Sequence, residues 1–475
     1  MIVPERLERW FQLREHGTTP KRECLAGLAT FVTMVYIIFV NTSIMKEAGM
    51  DPVALTIGTI LAAAVPTIFM GLWTNLPWAL APGMGYNALF AYTVVLTLKI
   101  PWPSALALVF LDGLAFLLLV SGPWREAIVT GIPRNLKLAA GAGIGLFIAY
   151  IGMVNAGIIK VHVLSPSPLA PGLHLFGGGS ALPVLGGLLD PPAVIALLGL
   201  LTTGYLLARG VTGSLLLGIL ATTGLAWIAG ALSPQARTAL QVAYPTGLDS
   251  IIQWPDFDRF FQHGFLQFSF SDITRLPVGA SILLFVIFLM TDIMDTLGTF
   301  GGLAGKMKVL DAEGNFPASG RAITVDAAAG VWGPLVGTAT VVTYVESAAG
   351  VALGGRTGLT AIWTAIFFLG ALFFVPLVGL LPPVATAPAL IVIGFLMTEP
   401  LLEVEFTEVS EGLPAFLTMA VMPLSFSIAD GMFAGILAFM VLKLVTGRAR
   451  EVSGVMWGFG VTLLLAKLAQ AWAGW

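Results

Sequence analysis

Two aspartates stand inside an apolar segment of the sequence, 283-LLFVIFLMTDIMDTLGTF-300. Asp292 and Asp295 are spaced i, i+3, so they would share one face of a helix, and Thr296 lies close to that face. An aspartate at the centre of a bilayer costs roughly 2.5–3.5 kcal/mol, so such a polar stripe must face the protein interior. Acids in that position can bind and release a proton, and a carboxylate can accept two parallel hydrogen bonds from a planar ligand with N–H donors.

Two more polar side chains follow segments that break helices. The stretch 76-LPWALAPGMGYNALFAY-92 carries prolines and glycines before Asn87, and 333-GPLVGTATVVTYVESAAGVALGG-355 carries a β-branched run before Glu346. Unwound backbone at membrane depth survives only where it is buried in protein or lines a wet cavity. We expect the two extended pieces to pair, and each to lead into a half-helix whose positive N-terminal end faces a binding cavity. The alternative is a pair of ordinary Pro/Gly kinks.

The remaining acids are weaker candidates. The sequence favours three carboxylates and a carboxamide around one cavity, with no basic residue at the same depth. A structural role such as helix capping is an alternative for Asp295. Asp326 fits an outer position or a helix start, and Asp112 is weaker still. A cluster of glutamates in a predicted cytoplasmic loop is most simply solvated: Glu399, Glu403, Glu405, Glu408 and Glu411.

The composition is that of a membrane protein. Of 475 residues, 57% are hydrophobic and only 10% are charged, and the mean hydropathy is +0.92. A soluble domain of this size would need more polar surface, so we expect a polytopic membrane protein. The single cysteine, Cys24, excludes a disulfide framework. No metal site is expected, because the four histidines fall in predicted loops or tails: His16, His162, His174 and His263.

Apolar runs mark fourteen predicted spans. They lie near 25–45, 53–73, 78–98, 104–121, 138–155, 191–208, 211–231, 279–300, 321–337, 339–354, 358–380, 383–399, 413–428 and 430–447. A last apolar stretch, 452–473, is either a fifteenth span or an interfacial helix. The bias of Lys and Arg places the N-terminus in the cytoplasm, and the loops 156–190 and 232–277 outside.

The two halves of the chain resemble each other. Residues 38-IFVNTSIM-45 and 287-IFLMTDIM-294 align without a gap, and polar residues interrupt both apolar runs at the same point. Seven spans in each half would give the halves opposite orientations, as in the inverted repeats of many secondary transporters. Chance similarity between apolar helices is the alternative.

Several long segments resemble a known transporter family. They are ECLAGLATFVTMVYIIFVNTSIM, ALAPGMGYNALFAYTVV, TDIMDTLGT and TYVESAAGVALGGRTGLTA. They resemble the AzgA-like branch of the nucleobase/ascorbate (xanthine/uracil) permeases, over about residues 20–450. The resemblance implies an all-α fold of fourteen spans in a 7+7 inverted repeat, with two short antiparallel strands in the broken spans 3 and 10. It also implies proton symport of hypoxanthine, guanine or adenine.

The resemblance also implies functional residues and domains. It places substrate binding at Asn87, Gly85, Asp292, Asp295 and Glu346, with Asp292 and Glu346 central to transport. Tyr86 stands where relatives are expected to carry a smaller aliphatic residue. The implied divisions are a cytoplasmic arm (1–23), core domain (24–122 and 277–381), gate domain (134–232 and 382–475, the latter with the C-terminal hydrophobic segment) and an extracytoplasmic loop (233–276).

The sequence therefore predicts a proton-coupled purine importer of the plasma (inner) membrane that is not an enzyme. Asp292 and Glu346 are the predicted proton-coupling acids, and Phe39, Phe90 and Tyr344 are guesses for the side chains that sandwich the base. The expected partners are a purine, H⁺ and the lipid bilayer, with no cofactor, no metal and no nucleic acid, and relatives suggest a homodimer through the gate helices. A uracil/xanthine or anion carrier of the same fold stays open, and a channel or an intramembrane enzyme fits less well.

Overall fold

The computed structural model describes residues 5–122, 131–163, 181–271, 278–307 and 318–472. Within them the α-helices are, in chain order, α1 (Glu5–Phe11), α2 (Pro20–Met34), α3 (Tyr36–Met45), α4 (Pro52–Phe69), α5 (Met84–Ala88), α6 (Trp102–Ser121), α7 (Arg134–Asn155), α8 (Pro191–Ala208), α9 (Ser214–Leu232), α10 (Pro234–Ala239), α11 (Phe257–His263), α12 (Val278–Met307), α13 (Ser319–Leu335), α14 (Ser347–Ala352), α15 (Gly358–Gly370), α16 (Ala387–Leu396), α17 (Val409–Ser425), α18 (Ile428–Val445) and α19 (Gly454–Trp472). The strands are β1 (Leu80–Pro82), β2 (Ile159–Val163), β3 (Ala181–Leu185) and β4 (Val341–Thr343). His174, which entered the sequence analysis, lies outside the described residues.

The described part of the chain is mostly helical and apolar. It contains nine helical segments long and apolar enough to cross a membrane, and three shorter apolar ones at Leu284–Ile293, Val409–Ser425 and Gly454–Leu465. Several segments join an α-helix to a differently wound turn, such as α4 with the π-helix Met70–Thr74, and α15 with the 3₁₀-helix Ala371–Leu380. Each predicted span outside the two broken ones coincides with helix, as the long apolar runs indicate.

Helix starts follow the local sequence. Thr19 caps α2 by accepting a hydrogen bond from the N–H of Arg22, and Asp51 caps α4 by accepting from two backbone N–H groups. In both cases a proline follows at the first helical position, where the missing N–H costs nothing. These caps fix where the first two spans begin.

Predicted spans 3 and 10 each consist of an extended piece followed by a short helix. β1 pairs antiparallel with β4, with Leu80 opposite Thr343 and Pro82 opposite Val341. The β-branched run of the tenth span begins at residue 338, but only three residues of it join the ladder because β1 itself is three residues long. Two backbone bonds extend the pairing, Gly83 N–H to Thr340 O at 2.9 Å and Tyr344 N–H to Ala79 O at 3.0 Å.

The chain divides into two compact units, each described here by itself. The larger unit is Met1–Phe147, Pro245–Val378 and Gly394–Trp475, and it holds all the predicted site residues. In it, α12 packs against α6, and the C-terminal helix α19 packs against both α12 and α18.

The smaller unit is Ile148–Tyr244 with Gly379–Ile393. Its helices α8 and α9 pack together around an apolar cluster that includes Ala196 and Ala226. It also contains an antiparallel pair, β2 with β3, that the sequence analysis treated as loop. The alternating pattern of 159-IKVHV-163 is typical of such a strand and was the available signal.

Candidate substrate site

The strand pair brings the two broken segments together. After β1 the chain enters α5, which continues as a π-helix over Leu89–Thr97, and after β4 it enters α14. Tyr344 strengthens the junction, since its hydroxyl donates to the carbonyl oxygen of Pro82 at 2.5 Å. The residues that follow each strand are therefore held by main-chain bonds from the opposite half of the sequence.

Glu346 lies at the N-cap position of α14. The phenol of Tyr36, which is fully buried at the start of α3, donates to its carboxylate Oε1 at 2.6 Å. A charge-assisted hydrogen bond of this kind holds the carboxylate in one orientation. Sequence reasoning missed Tyr36; the available signal was a polar aromatic residue inside an apolar span.

The two aspartates of α12 differ in burial and in their neighbours. Asp292 is 1% exposed, and its Oδ2 has no hydrogen-bond partner among the described residues. Asp295 is partly exposed and approaches the end of β1: its Oδ2 lies 3.8 Å from the point where a Cβ on Gly83 would stand. The same point lies 3.1 Å from the Val342 side chain of β4, so Asp295 approaches the place where the two strands pair.

Thr296 and Asp326 form a second polar contact beside the strands. The hydroxyl of Thr296 donates to Asp326 Oδ2 at 2.5 Å. The other carboxylate oxygen, Oδ1, accepts from both the N–H and the hydroxyl of Thr343, at 2.8 and 2.6 Å. Asp326 thus ties α13 to α12 and to β4. Asp326 lies inside α13 and not at its start, as one of the two predicted alternatives had it, and an outer position in the site stays a prediction. Its carboxylate already accepts the hydrogen bond of the Thr296 hydroxyl.

The remaining predicted residues are buried: Gly85, Asn87 and Phe90 in the third span, and Phe39 in the first. Asn87 is fully buried, and neither atom of its amide has a partner among the described residues. Gly85 faces Ile144, whose side chain would lie 2.7 Å from an added Cβ. Phe90 is fully buried and Phe39 is 8% exposed. The contacts that hold the acids do not involve these two rings, so their role in sandwiching a base stays a prediction.

Four acids surround the strand pair. Asp292 and Asp295 lie one helical turn apart on α12, Asp326 bonds Thr296 of the same helix as well as Thr343 of β4, and Glu346 follows β4. Among the described residues, Asp292, Asp295 and Asp326 form no ion pair. These carboxylates can therefore accept hydrogen bonds from a ligand or bind a cation, and their negative charge disfavours the binding of an anion.

The tyrosine that departs from the expected pattern is also part of this region. Tyr86 is fully buried, its ring stacks on Phe288 with centroids 6.1 Å apart, and its hydroxyl donates to the carbonyl of Phe288 at 2.7 Å. Phe288 precedes Asp292 by one helical turn. Tyr86 therefore packs α5 against the acid-bearing part of α12.

Comparison with known proteins decides the family. A model described as the "Permease family", for xanthine/uracil permeases, matches residues 21–433. The chain belongs to this family. The resemblance seen in the sequence is thus confirmed. A permease of this kind is a multi-pass integral membrane transporter and not an enzyme.

Individual relatives of this permease match over almost their whole length. The adenine permease AdeP of Escherichia coli is 37% identical, covering 94% of this chain and 92% of its own. The guanine/hypoxanthine permease PbuG of Bacillus subtilis is 36% identical, covering 97% and 99%. The transmembrane domain of the cyanobacterial bicarbonate transporter BicA matches the fold with a TM-score of 0.56 at 13% identity, covering 87% of this permease and 97% of that domain.

Proposed function

We propose that this permease is a proton-coupled symporter that takes up purine nucleobases such as hypoxanthine, guanine or adenine. Two observations support the proposal. Relatives with closely matching length are named as permeases for adenine and for guanine and hypoxanthine. The candidate site is rich in carboxylates, which suit the N–H donors along the edge of a purine.

The single observation that carries the proposal is the environment of Glu346. Its carboxylate follows β4 directly and is oriented by the phenol of Tyr36 through one oxygen. A planar base lying against the strand pair would present adjacent N–H groups to this carboxylate. Asp295, beside Gly83, and Asn87 would complete the polar surround, and aromatic side chains including Tyr344 would cover the faces of the ring.

Proton coupling follows from the same acids. A proton and a purine would enter together from outside. Protonation of one buried acid lowers the electrostatic repulsion among the acids, which would favour the loaded site. The core domain, spans 1–4 and 8–11, would then move against the gate domain and expose the site to the cytoplasm. Release of the proton would restore the repulsion among Asp292, Asp295 and Asp326 and favour the return.

We also propose the fourteen-span 7+7 inverted repeat, in the plasma (inner) membrane with a cytoplasmic N-terminus. Support comes from the corresponding places of the two strand–helix segments, one in the third predicted span and one in the tenth. Basic residues before α2 and after α18 favour this orientation. A homodimer through the gate helices would agree with the relatives of this fold.

The C-terminal helix α19 adds a fifteenth crossing to this arrangement. Lys467 pairs with Asp430 at 2.5 Å, and a Cβ on Gly460 would meet the Met440 side chain. These contacts show that α19 lies antiparallel to α18. Helix α18 is itself long and apolar enough to cross a membrane. The C-terminus then lies outside, which a reporter fused to residue 475 would test: a reporter active only in the cytoplasm should stay silent there.

Uptake of radiolabelled purines into proteoliposomes tests the transport function. With an inward proton gradient, the purified permease should accumulate adenine, guanine or hypoxanthine, and a protonophore should abolish the accumulation. Equilibration without accumulation would indicate a channel. A panel of unlabelled competitors, including uracil, xanthine and bicarbonate, separates the purine carrier from the alternatives: strong competition by uracil alone, or by bicarbonate alone, would overturn the purine assignment.

A further inference from the structure

One buried acid lies outside the substrate site described above. Asp112, on α6, is fully buried, and both of its carboxylate oxygens lack a hydrogen-bond partner among the described residues. It also has no ion pair within those residues. Burying an ionised carboxylate in this way costs several kcal/mol, so such a group is neutral or binds a cation.

Another buried acid shows how this chain satisfies a carboxylate that is purely structural. Glu23 is fully buried, and its two oxygens accept hydrogen bonds from the N–H groups of Arg356, Thr357 and Thr360 and from both threonine hydroxyls. Five donors therefore compensate one carboxylate. Asp112 has no such donor set, which argues against a purely structural role.

Asp112 and Asp292 lie on helices that pack against each other, α6 and α12. The residue next to Asp112, Gly113, also marks a close contact with α13: a Cβ on Gly113 would come within 2.7 Å of the backbone of Gly330, so α6 and α13 touch main chain to main chain.

Side chains from two further elements reach this glycine contact. Asp292 Oδ2 lies 3.5 Å, Thr340 Cγ2 3.6 Å and the Cα of Gly113 3.7 Å from the position of a Cβ on Gly330. Thr340 is fully buried and its hydroxyl also lacks a partner among the described residues. Asp292 and Thr340 therefore converge beside Gly113, the neighbour of Asp112 in the chain, and Asp112, Asp292 and Thr340 each carry buried oxygens with no partner among the described residues.

We propose that Asp112 and Asp292 share the coupling proton, with the Thr340 hydroxyl as a third oxygen of the same site. The inference deepens the proposed function and rests on it. Two carboxyls on packed helices that lack compensating donors cannot both ionise while water is excluded, so the closed site favours one proton between them, as in carboxylate dyads. The proton site is then separate from Glu346, which binds the base.

The other groups that face the pair are consistent with this division. Asp326 is engaged by Thr296 and Thr343, and Asp295 lies towards β1, while Tyr86 donates to a carbonyl. No basic side chain is paired to Asp112 or Asp292 in the described part of the chain. The proton arrives from external water, leaves the pair with a single negative charge during the movement of the core domain, and departs once cytoplasmic water reaches the site and solvates the second carboxylate.

The test compares Asp112→Asn with wild type in three measurements. Accumulation of purine driven by a proton gradient should fall by roughly 5- to 150-fold, the usual range for coupling between two sites. Equilibrium binding of the purine should change far less, and should lose its dependence on pH. The infrared C=O band of protonated carboxyls should shrink in the variant, and Asp112→Glu should restore both the band and part of the accumulation.

Asp190→Asn is the matched control. It also removes one carboxylate, but Asp190 lies exposed and pairs with Lys160, so accumulation and the infrared band should stay at the wild-type level. A folded Asp112→Asn protein that accumulates purine like wild type, or that keeps the full infrared band, would overturn the proton pair. A sodium gradient that replaces the proton gradient in wild type would overturn it too, by assigning the same oxygens to Na⁺.

Failure of the proposed transport function gives a different result from failure of the proton pair. If the transport function is wrong, the folded wild-type protein binds and accumulates no purine, whereas the infrared titration still reports whether Asp112 and Asp292 hold a proton.

Discussion

The phenol of Tyr36 donates a 2.6 Å hydrogen bond to Oε1 of Glu346, joining the start of α3 to the start of α14. The two residues are 310 positions apart in the chain. One carboxylate oxygen is thereby fixed by the protein before any ligand arrives. Preorganisation of this kind lowers the ordering cost of binding, because the acceptor does not have to search for its orientation.

Replacing Glu346 should weaken purine binding strongly. Glu346→Gln exchanges one acceptor oxygen for a donor, and a hydrogen bond to a charged group contributes about 1.5–3 kcal/mol, or roughly 10- to 150-fold in affinity. Tyr36→Phe removes only the orienting bond and should cost about 1 kcal/mol. Calorimetric titration of the detergent-purified protein measures both. Tyr205→Phe, at an exposed tyrosine, is the control, and wild-type affinity in Glu346→Gln would remove this residue from the site.

Replacing Asp326 should destabilise the fold. Its carboxylate accepts from the Thr296 hydroxyl and from the N–H and hydroxyl of Thr343. Asp326→Ala leaves these buried donors unpaired, which should lower the free energy of unfolding by about 3–5 kcal/mol. Asp326→Asn keeps one acceptor oxygen, so its free energy of unfolding should lie between those of wild type and Asp326→Ala. Thermal unfolding in detergent is the measurement, with the exposed Asp249→Asn as control; unchanged stability in Asp326→Ala would show that the strand does not depend on this acid.

The pair Asp51–Arg259 should make stability depend on pH. Burial alone would raise the pKa of Asp51, but the hydrogen bonds from Arg259 and from the N–H groups of Ala54 and Val53 outweigh it and lower the pKa below its usual 3.8. A lowered pKa gives stability that is present above the usual value and is lost as the pH falls through the folded value. Arg259→Met should therefore reduce the melting temperature at pH 7, by an amount equivalent to about 0.5–1 kcal/mol for so exposed a pair.

Two observations would check this pair further. The melting difference between wild type and Arg259→Met should close below the usual pKa of Asp51, and Arg259→Lys should be intermediate, since lysine keeps the charge but not the two-pronged contact. A difference that persists unchanged at low pH would assign the effect to packing.

The C-terminal end of α18 carries a second pH-dependent cluster. Hydrogen bonds from Arg448 and Lys443 lower the pKa of Glu451 to about 2. Lys443, 1% exposed, also pairs with Glu411 at 2.8 Å. Because the pKa is lowered, the stabilisation from Glu451 should hold above the usual 4.5 and disappear between 4.5 and about 2. Glu451→Gln should therefore melt below wild type at pH 7 and together with it near pH 2; a gap that widens in acid would contradict this sign.

The apolar runs predicted where helices lie, because hydropathy over about twenty residues reports membrane depth directly. The same reasoning located both extended segments, since prolines, glycines and β-branched residues rarely stand together inside a helix. It gave no length for either strand, because strand length depends on the partner, and β1 offers only three residues. Partner contacts are a property of the folded chain and leave no local signal.

For the site residues, too, local sequence was informative and contacts in the folded chain were not predictable. Acids on apolar helices were visible in the sequence because their burial is costly anywhere, so Asp292, Asp295 and Glu346 could be named. Tyr36 was missed and Asp112 was placed last, since a tyrosine or one aspartate in an apolar run does not show which groups it meets. The hydrogen bond of Tyr36 to Glu346 and the packing of α6 against α12 appear only in the folded chain.

The hydrogen bond from Tyr344 to Pro82 spans 262 residues of the polypeptide. During synthesis, β1 therefore emerges from the ribosome long before β4 has been translated, and its backbone groups must be kept away from lipid without their final partner. The last strand of the pair closes the site only after more than two thirds of the chain is made. Maturation of the transporter is consequently governed by a late docking event, and a product that terminates before residue 341 has no means of completing it.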